Sequence, residues 1–92
     1  MRRVVPASSF RRAYKHFVAK HPSMQAGIQI VLEKLSIDPF QPSLETHKLK
    51  GKLKGSFACS AGYDLRIVFD FTKNDPEDDI LLIEIGTHDE VY

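Results

Sequence analysis

The sequence predicts an α+β domain, on three observations. Apolar residues recur at helical spacing through the first 37 positions and alternate with a period of two from Leu53 onward. Between the two regimes lies a stretch, 38–47, that carries two prolines and follows neither period. Ninety-two residues suffice for one hydrophobic core, so the chain 1–92 is read as a single domain.

Each element has its own warrant. Val4, Val5 and Pro6 suggest a short first strand that stops at the proline. Ser8 or Ser9 is suited to cap a helix whose apolar stripe is Phe10, Ala13, Tyr14, Phe17 and Val18. Arg11, Arg12, Lys15 and Lys20 fall on its other face. His21-Pro22 closes that helix and opens the next, because proline is tolerated in a first turn. Ile28, Val31, Leu32 and Leu35 form the second stripe, which stops by Asp38-Pro39, since the residue before a proline resists the α conformation. The two helices are expected to make an antiparallel hairpin, with His16 and His21 as surface residues without chemistry.

Phe57, Cys59 and Ala61 then share one face, and Gly62 marks a tight turn. In the clearest strand, Leu65, Ile67, Phe69 and Phe71 form a core face against Asp64, Arg66, Val68 and Asp70. Asn74-Asp75-Pro76 reads as a turn, and Ile80–Ile85 as a last strand ending at Gly86, followed by a polar tail. The predicted order is β-α-α-β-β-β: a helical hairpin packed on a small, mostly antiparallel sheet.

Composition excludes several classes. With 42% hydrophobic and 27% charged residues the chain is an ordinary globular one, not a disordered one. Its longest apolar run, Ile80 to Ile83, is too short to cross a bilayer, and the basic start lacks a signal-peptide core. With a single cysteine, these features lead to the expectation of a cytoplasmic protein. The single cysteine, Cys59, rules out an internal disulfide and a C-x-x-C metal pair, and reads as a buried filler.

A formal net charge of +1 hides a strong asymmetry. Residues 1–20 hold six basic side chains and no acid; residues 74–92 hold seven acids and no lysine or arginine. The tandem KLKG after His47 adds Lys48, Lys50, Lys52 and Lys54 in strict alternation. If that stretch is extended, all four ammonium groups lie on one side and form a strip suited to a polyanion, nucleic acid first. The plain alternative is a solvated charged loop.

Asp64 and Arg66, two apart on a strand, are expected to share a face, where such a pair is most often a cross-strand ion pair. His88 follows Gly86-Thr87 on a segment too polar for a core, open to a surface, proton-transfer or metal role. Metal is the weakest of these, because no other cluster has ligand spacing. Tyr92, the last residue of the chain, either docks on the body or stacks on a base.

Together these residues resemble the RelE/YafQ toxins of bacterial type II toxin–antitoxin systems, within the RelE/ParE superfamily. The resemblance is carried by His47-x-Leu49-x-Gly51-x-x-x-Gly55, by Gly62-Tyr63-Asp64-Leu65-Arg66-Ile67-Val68-Phe69, and by Gly86-Thr87-His88 with a terminal aromatic. It implies a RelE-like fold and a ribosome-dependent endoribonuclease, an mRNA interferase, silenced by a cognate antitoxin in an oligomeric complex. It also implies His47, Asp64, Arg66, His88 and Tyr92 as the catalytic set, with no cofactor and no metal. Two positions depart from the YafQ pattern: Ser60 replaces a histidine and Leu65 a tryptophan. Arg66 instead matches the strand arginine of the RelE and YoeB branches.

Attack of a 2′-hydroxyl on its neighbouring phosphate needs a base, cations for the crowded phosphorane, and an acid for the leaving oxygen. Histidine, with an ordinary pKa of about 6.5, serves either proton-transfer role. Arginine binds two phosphate oxygens in parallel. On this scheme His88 is the acid, Arg66 the clamp, His47 or Asp64 the base, and Tyr92 holds a nucleotide. Lys48, Lys50, Lys52 and Lys54, with Arg11 and Arg12, would bind messenger and ribosomal RNA backbone. The rivals are a ParE-like toxin directed at DNA gyrase and a non-catalytic RNA- or protein-binding module of the same fold.

Overall fold

A computed structural model describes residues 2–50, 55–62, 64–73, 78–87 and 91. The elements described are β1 (Val4–Pro6), α1 (Ser8–Lys20), α2 (Gln25–Ile37), β2 (His47–Lys48), β3 (Phe57–Ser60), β4 (Leu65–Phe71) and β5 (Ile80–Thr87). The sheet order is β1-β5-β4-β3-β2; β1 runs parallel to β5 and every other pairing is antiparallel. The helices cover one face. Among the described residues, no helix is long and apolar enough to cross a membrane.

The predicted stripes form this core. Phe10 of α1 and Ile28 and Leu35 of α2 are buried with Leu65, Ile67, Phe69 and Phe71 of β4 and Ile80, Leu82 and Ile85 of β5. Leu44, Cys59 and Ala61 complete it, and Phe57 packs against its margin. Burying this much aliphatic and aromatic surface on one side of the sheet is the main force that holds the helices there.

Several boundaries differ from the sequence reading, each for a local reason. The cap of α1 is Ala7 with no side-chain bond, because Ser9 turns away and donates its hydroxyl to the Ile83 carbonyl at 2.7 Å. A 3-10 turn, Pro22–Met24, lies between the helices, so α2 begins at Gln25 and not at the proline. A second such turn, Pro42–Leu44, ends with Glu45 in the left-handed region at φ 51°, which reverses the chain into β2. β5 runs through Gly86 to Thr87, its register shifted near Ile83 by a bulge opposite Val68/Phe69.

The largest difference is on the far face of the sheet. Val68, placed by alternation among polar neighbours, is fully buried, as is Ala58 beside it. They form a second, smaller cluster with Leu49 and Val91, flanked by Ile83. The sheet is therefore apolar on both sides, with α1 and α2 on one of them. The turn expected at 74–76 lies outside the described residues.

Candidate active site

Cross-strand pairs share a face, so the register places the candidates. On the side opposite α1 and α2, His47 pairs with Ala58, and Ala58 with Val68. In the next row, Ser60 pairs with Arg66, and Arg66 with Gly86. His47 and Arg66 thus lie on one face, two strands and two residues apart. Ideal sheet spacing makes this about 12 Å between their α carbons.

Each side chain is oriented by its surroundings. His47 Nδ1 lies 3.1 Å from the Glu45 carbonyl, an acceptor made reachable by the left-handed backbone of Glu45. Since a carbonyl only accepts, the ring donates through Nδ1–H, and in the neutral ring this leaves the lone pair on Nε2. Arg66 is half-buried. Its Nη1 donates to the Leu65 carbonyl at 3.1 Å and, at the outer limit of a bond, to Ser60 Oγ at 3.5 Å. Ser60 in turn donates to the Gly62 carbonyl at 3.2 Å. Ser60, an absent histidine at the sequence level, is here a brace for the guanidinium. Among the described residues no carboxylate forms an ion pair with Arg66. Nη2 and Nε retain the fork geometry that a phosphate accepts.

Asp64 sits elsewhere. The Ala61 amide donates to the Leu65 carbonyl at 2.8 Å, which leaves Asp64 in a bend ahead of β4 and starts that strand at Leu65. The expected Asp64/Arg66 pair on one strand face is therefore not formed. Asp64 lines a cavity of about 250 Å³ on the helix side with Phe17, His21, Met24, Leu65 and Thr87. His16 and His21 are exposed, as expected, yet both line an adjoining groove of about 480 Å³ with Lys20, Glu84 and Thr87. The His21 ring lies 4.7 Å from that of Phe17.

The lysines divide by the same parity. Lys48 pairs with Phe57 and holds its ammonium 6.0 Å from that ring's centroid, on the helix side of the sheet edge. Burial of Leu49 on the other side dictates this, since adjacent strand residues point opposite ways. Lys50, Arg11 and Arg12 are exposed. The strip does not share Arg66's face at Lys48. Lys52, Lys54, His88 and Tyr92 lie outside the described residues.

Cys59 is fully buried, and burial pushes its thiol up to about 12, so it is no nucleophile. Among the described residues, no three His, Cys, Asp or Glu side chains are grouped to hold a metal ion.

Over residues 2–92 the chain matches the family model described as the bacterial toxin of type II toxin–antitoxin systems, YafQ. No curated protein matches it by sequence. Three solved structures share its fold. YafQ from E. coli has 15% identity and a TM-score of 0.71 over 100% of this chain and 99% of that one. YafQ in the E. coli DinJ–YafQ complex has 15% identity and a TM-score of 0.76 over 99% and 97%. A metal-bound toxin from Helicobacter pylori has 24% identity and a TM-score of 0.73 over 100% of both chains.

Proposed function

The chain belongs to the YafQ family of type II toxins, and from that premise we propose that it is a ribosome-dependent mRNA interferase whose active face is the side of the sheet opposite α1 and α2. One observation carries this reading. Arg66 is half-buried on that face with no acidic partner among the described residues, and His47 stands on the same face with its ring held by Nδ1 3.1 Å from the Glu45 carbonyl. A structural arginine on a sheet is ordinarily paired; one left facing solvent with an open fork is suited to a phosphate.

In the proposed reaction His47 Nε2 takes the proton of the 2′-hydroxyl, whose oxygen attacks the adjacent phosphorus. Arg66 stabilises the phosphorane, and His88 protonates the departing 5′-oxygen. The products are a 2′,3′-cyclic phosphate and a free 5′-hydroxyl, and no water is consumed in this step. Of the two candidate bases, His47 is favoured over Asp64, because Asp64 lines the helix-side cavity with His21. Tyr92 is proposed to stack on a base. The scheme routes no step through a metal.

Lys48, Lys50, Lys52, Lys54, Arg11 and Arg12 are proposed to bind RNA backbone, supplying affinity and register rather than bond breaking. With Lys48 at the sheet edge, these contacts reach around the domain to ribosomal RNA rather than only along the message. The E. coli YafQ relative is assembled with DinJ, which supports a cognate antitoxin as partner here too, in an oligomeric cytoplasmic complex. An acidic amphipathic segment would suit a basic surface.

Primer extension on a message, with and without purified ribosomes, tests the reading. Discrete new 5′ ends only when ribosomes are present are expected. No new ends in either case, with loss of gyrase supercoiling activity instead, would move the chain to the gyrase-directed class.

A further inference from the structure

Among the described residues Val5, Ile30, Ile37 and Phe40 are large apolar side chains left exposed, and only Phe40 is aromatic. It is 47% exposed and lies in the connection between α2 and β2. The backbone there is fixed on both sides of the ring. The Phe40 amide donates to Asp38 Oδ1 at 3.0 Å, and Pro39 is fully buried, its carbonyl accepting the Thr46 hydroxyl at 2.5 Å. Gln41 donates its side-chain amide to the Lys34 carbonyl at 3.0 Å. The ring itself meets Phe57 edge-on, with centroids 5.7 Å apart and planes at 83°. Toward Phe71 it is near-parallel, at 6.0 Å and 26°. Two side chains of the sheet thus set its orientation, while nearly half of its surface stays open.

A cation stands beside this group. Lys48, exposed on β2, holds its ammonium 6.0 Å from the Phe57 centroid, the outer limit of a cation–π contact, and forms no ion pair among the described residues. The Phe40 ring and the Lys48 ammonium both lie within about 6 Å of the Phe57 centroid, so they are at most about 12 Å apart. Two acids share the connection: Asp38, whose carboxylate accepts the Phe40 amide, and Glu45, whose left-handed backbone turns the chain into β2. Phe57 and Phe71 pack with the core on the α1 and α2 side, so the group faces away from Arg66.

We propose that Phe40 and Lys48 form a separate RNA subsite, in which an unpaired base stacks on the Phe40 ring and the Lys48 ammonium takes a phosphate of the same strand. This inference rests on the RNA-directed reading above. A held ring beside an unpaired cation matches the flat bases and charged phosphates of a single strand, and Ile30 and Ile37 offer no such face. Stacking is tolerant of sequence, because every base has a π face. Lying opposite Arg66, the subsite supplies affinity and not bond breaking.

Fluorescence anisotropy of the full chain tests it, with a labelled 2′-O-methyl oligoadenylate of about twelve nucleotides, which has no 2′-hydroxyl to react, and an abasic oligomer of equal length and charge. The wild type is expected to bind the oligoadenylate more tightly. Phe40→Leu keeps apolar bulk and removes the π face. It is expected to weaken oligoadenylate binding about fivefold to a hundredfold and to change abasic binding less than about twofold, and Phe40→Tyr to restore the wild-type affinity. Lys48→Gln is expected to weaken both oligomers and to reduce the slope of log affinity against log salt by about 0.7. Thermal melts verify folding, and should Phe40→Leu fail to fold, Phe40→Met replaces it. Equal wild-type affinity for the two oligomers, or an equal loss on both in Phe40→Leu, would overturn the stacking platform. Unchanged binding in Lys48→Gln would overturn the phosphate contact. A wild-type dimer in sedimentation that Phe40→Leu dissociates would give the ring to a second copy instead. A wild type that binds neither oligomer defeats the subsite; if it still cuts message on ribosomes the underlying reading stands, and if it does not, that reading falls as well.

Discussion

Val68→Thr puts the two-sided burial of the sheet to a quantitative test. The substitution keeps the shape of the side chain and replaces one methyl with a hydroxyl. Val68 has 0% exposure and faces Ala58, Leu49 and Val91, so the hydroxyl would enter an apolar site. Protein data put the cost of burying such a group at about 1–3 kcal/mol. For 92 residues the unfolding entropy scales to about 0.2 kcal/mol per kelvin, so the melting midpoint should fall by about 5–15 °C. The loss is large against a total stability of roughly 5–14 kcal/mol for a chain of this length. Val5→Thr is the matched control: Val5 is 39% exposed on β1, and a surface change of this kind stays within about 0.5 kcal/mol. Thermal melts followed by circular dichroism read both, and the chain's lack of tryptophan favours that signal. If Val68→Thr melts with Val5→Thr, the far face is not a core.

Two further outcomes follow from the titrating groups. Cys59, fully buried with its thiol pushed up to about 12, should resist alkylation at pH 8 in the folded protein and react fully in denaturant. Its sign follows: folding holds the neutral thiol, so this contribution is present below the unfolded pKa of about 8.5 and is lost as pH rises toward 12. Rapid labelling of native protein at pH 8 would contradict the burial. Asp79 is held below the usual carboxylate range by hydrogen bonds from the Arg3 amide and guanidinium, at 3.1 and 3.0 Å. Its lowered pKa makes the contribution present above about pH 4 and lost as the medium acidifies through the folded value. Asp79→Asn should therefore flatten the acid limb of a stability–pH curve while leaving the neutral-to-alkaline side in shape; an unaltered acid limb would show that this clamp is not coupled to folding.

Much of the fold could be read from periodicity alone. The two helices, the core face of β4 and the closing strand have long, regular patterns that tertiary context did not override. What escaped had weak or misleading local signals. Val68 between Arg66 and Asp70 looks like a lone exposed valine, because nothing local announces that Leu49 and Val91 return to cover it. Asp64 continues the alternation of β4 in sequence, yet the bond from Ala61 to Leu65 leaves it in a bend ahead of that strand. The lysine strip alternates in sequence from Lys48, but alternation alone does not say which face is which. Leu49 decides it, since the buried leucine takes the far side with His47 and sends Lys48 to the other. His47 and Arg66 were identified by motif, and the register of β2, β3 and β4 puts them on one face. The bracing of Arg66 by Ser60 had no sequence signal beyond the absence of a histidine.

The central claim, that the face around Arg66, opposite α1 and α2, cuts message, is tested most directly by Arg66→Ala in ribosome-bound cleavage. Single-turnover rates are measured by primer extension, alongside a melt to verify folding. The account predicts a folded variant that cuts at the wild-type positions about a hundredfold to a thousandfold more slowly, the usual loss when one charge-stabilising group is removed. A folded Arg66→Ala protein that cuts at the wild-type rate would contradict it, and the reacting phosphate would have to be sought on another face of the domain.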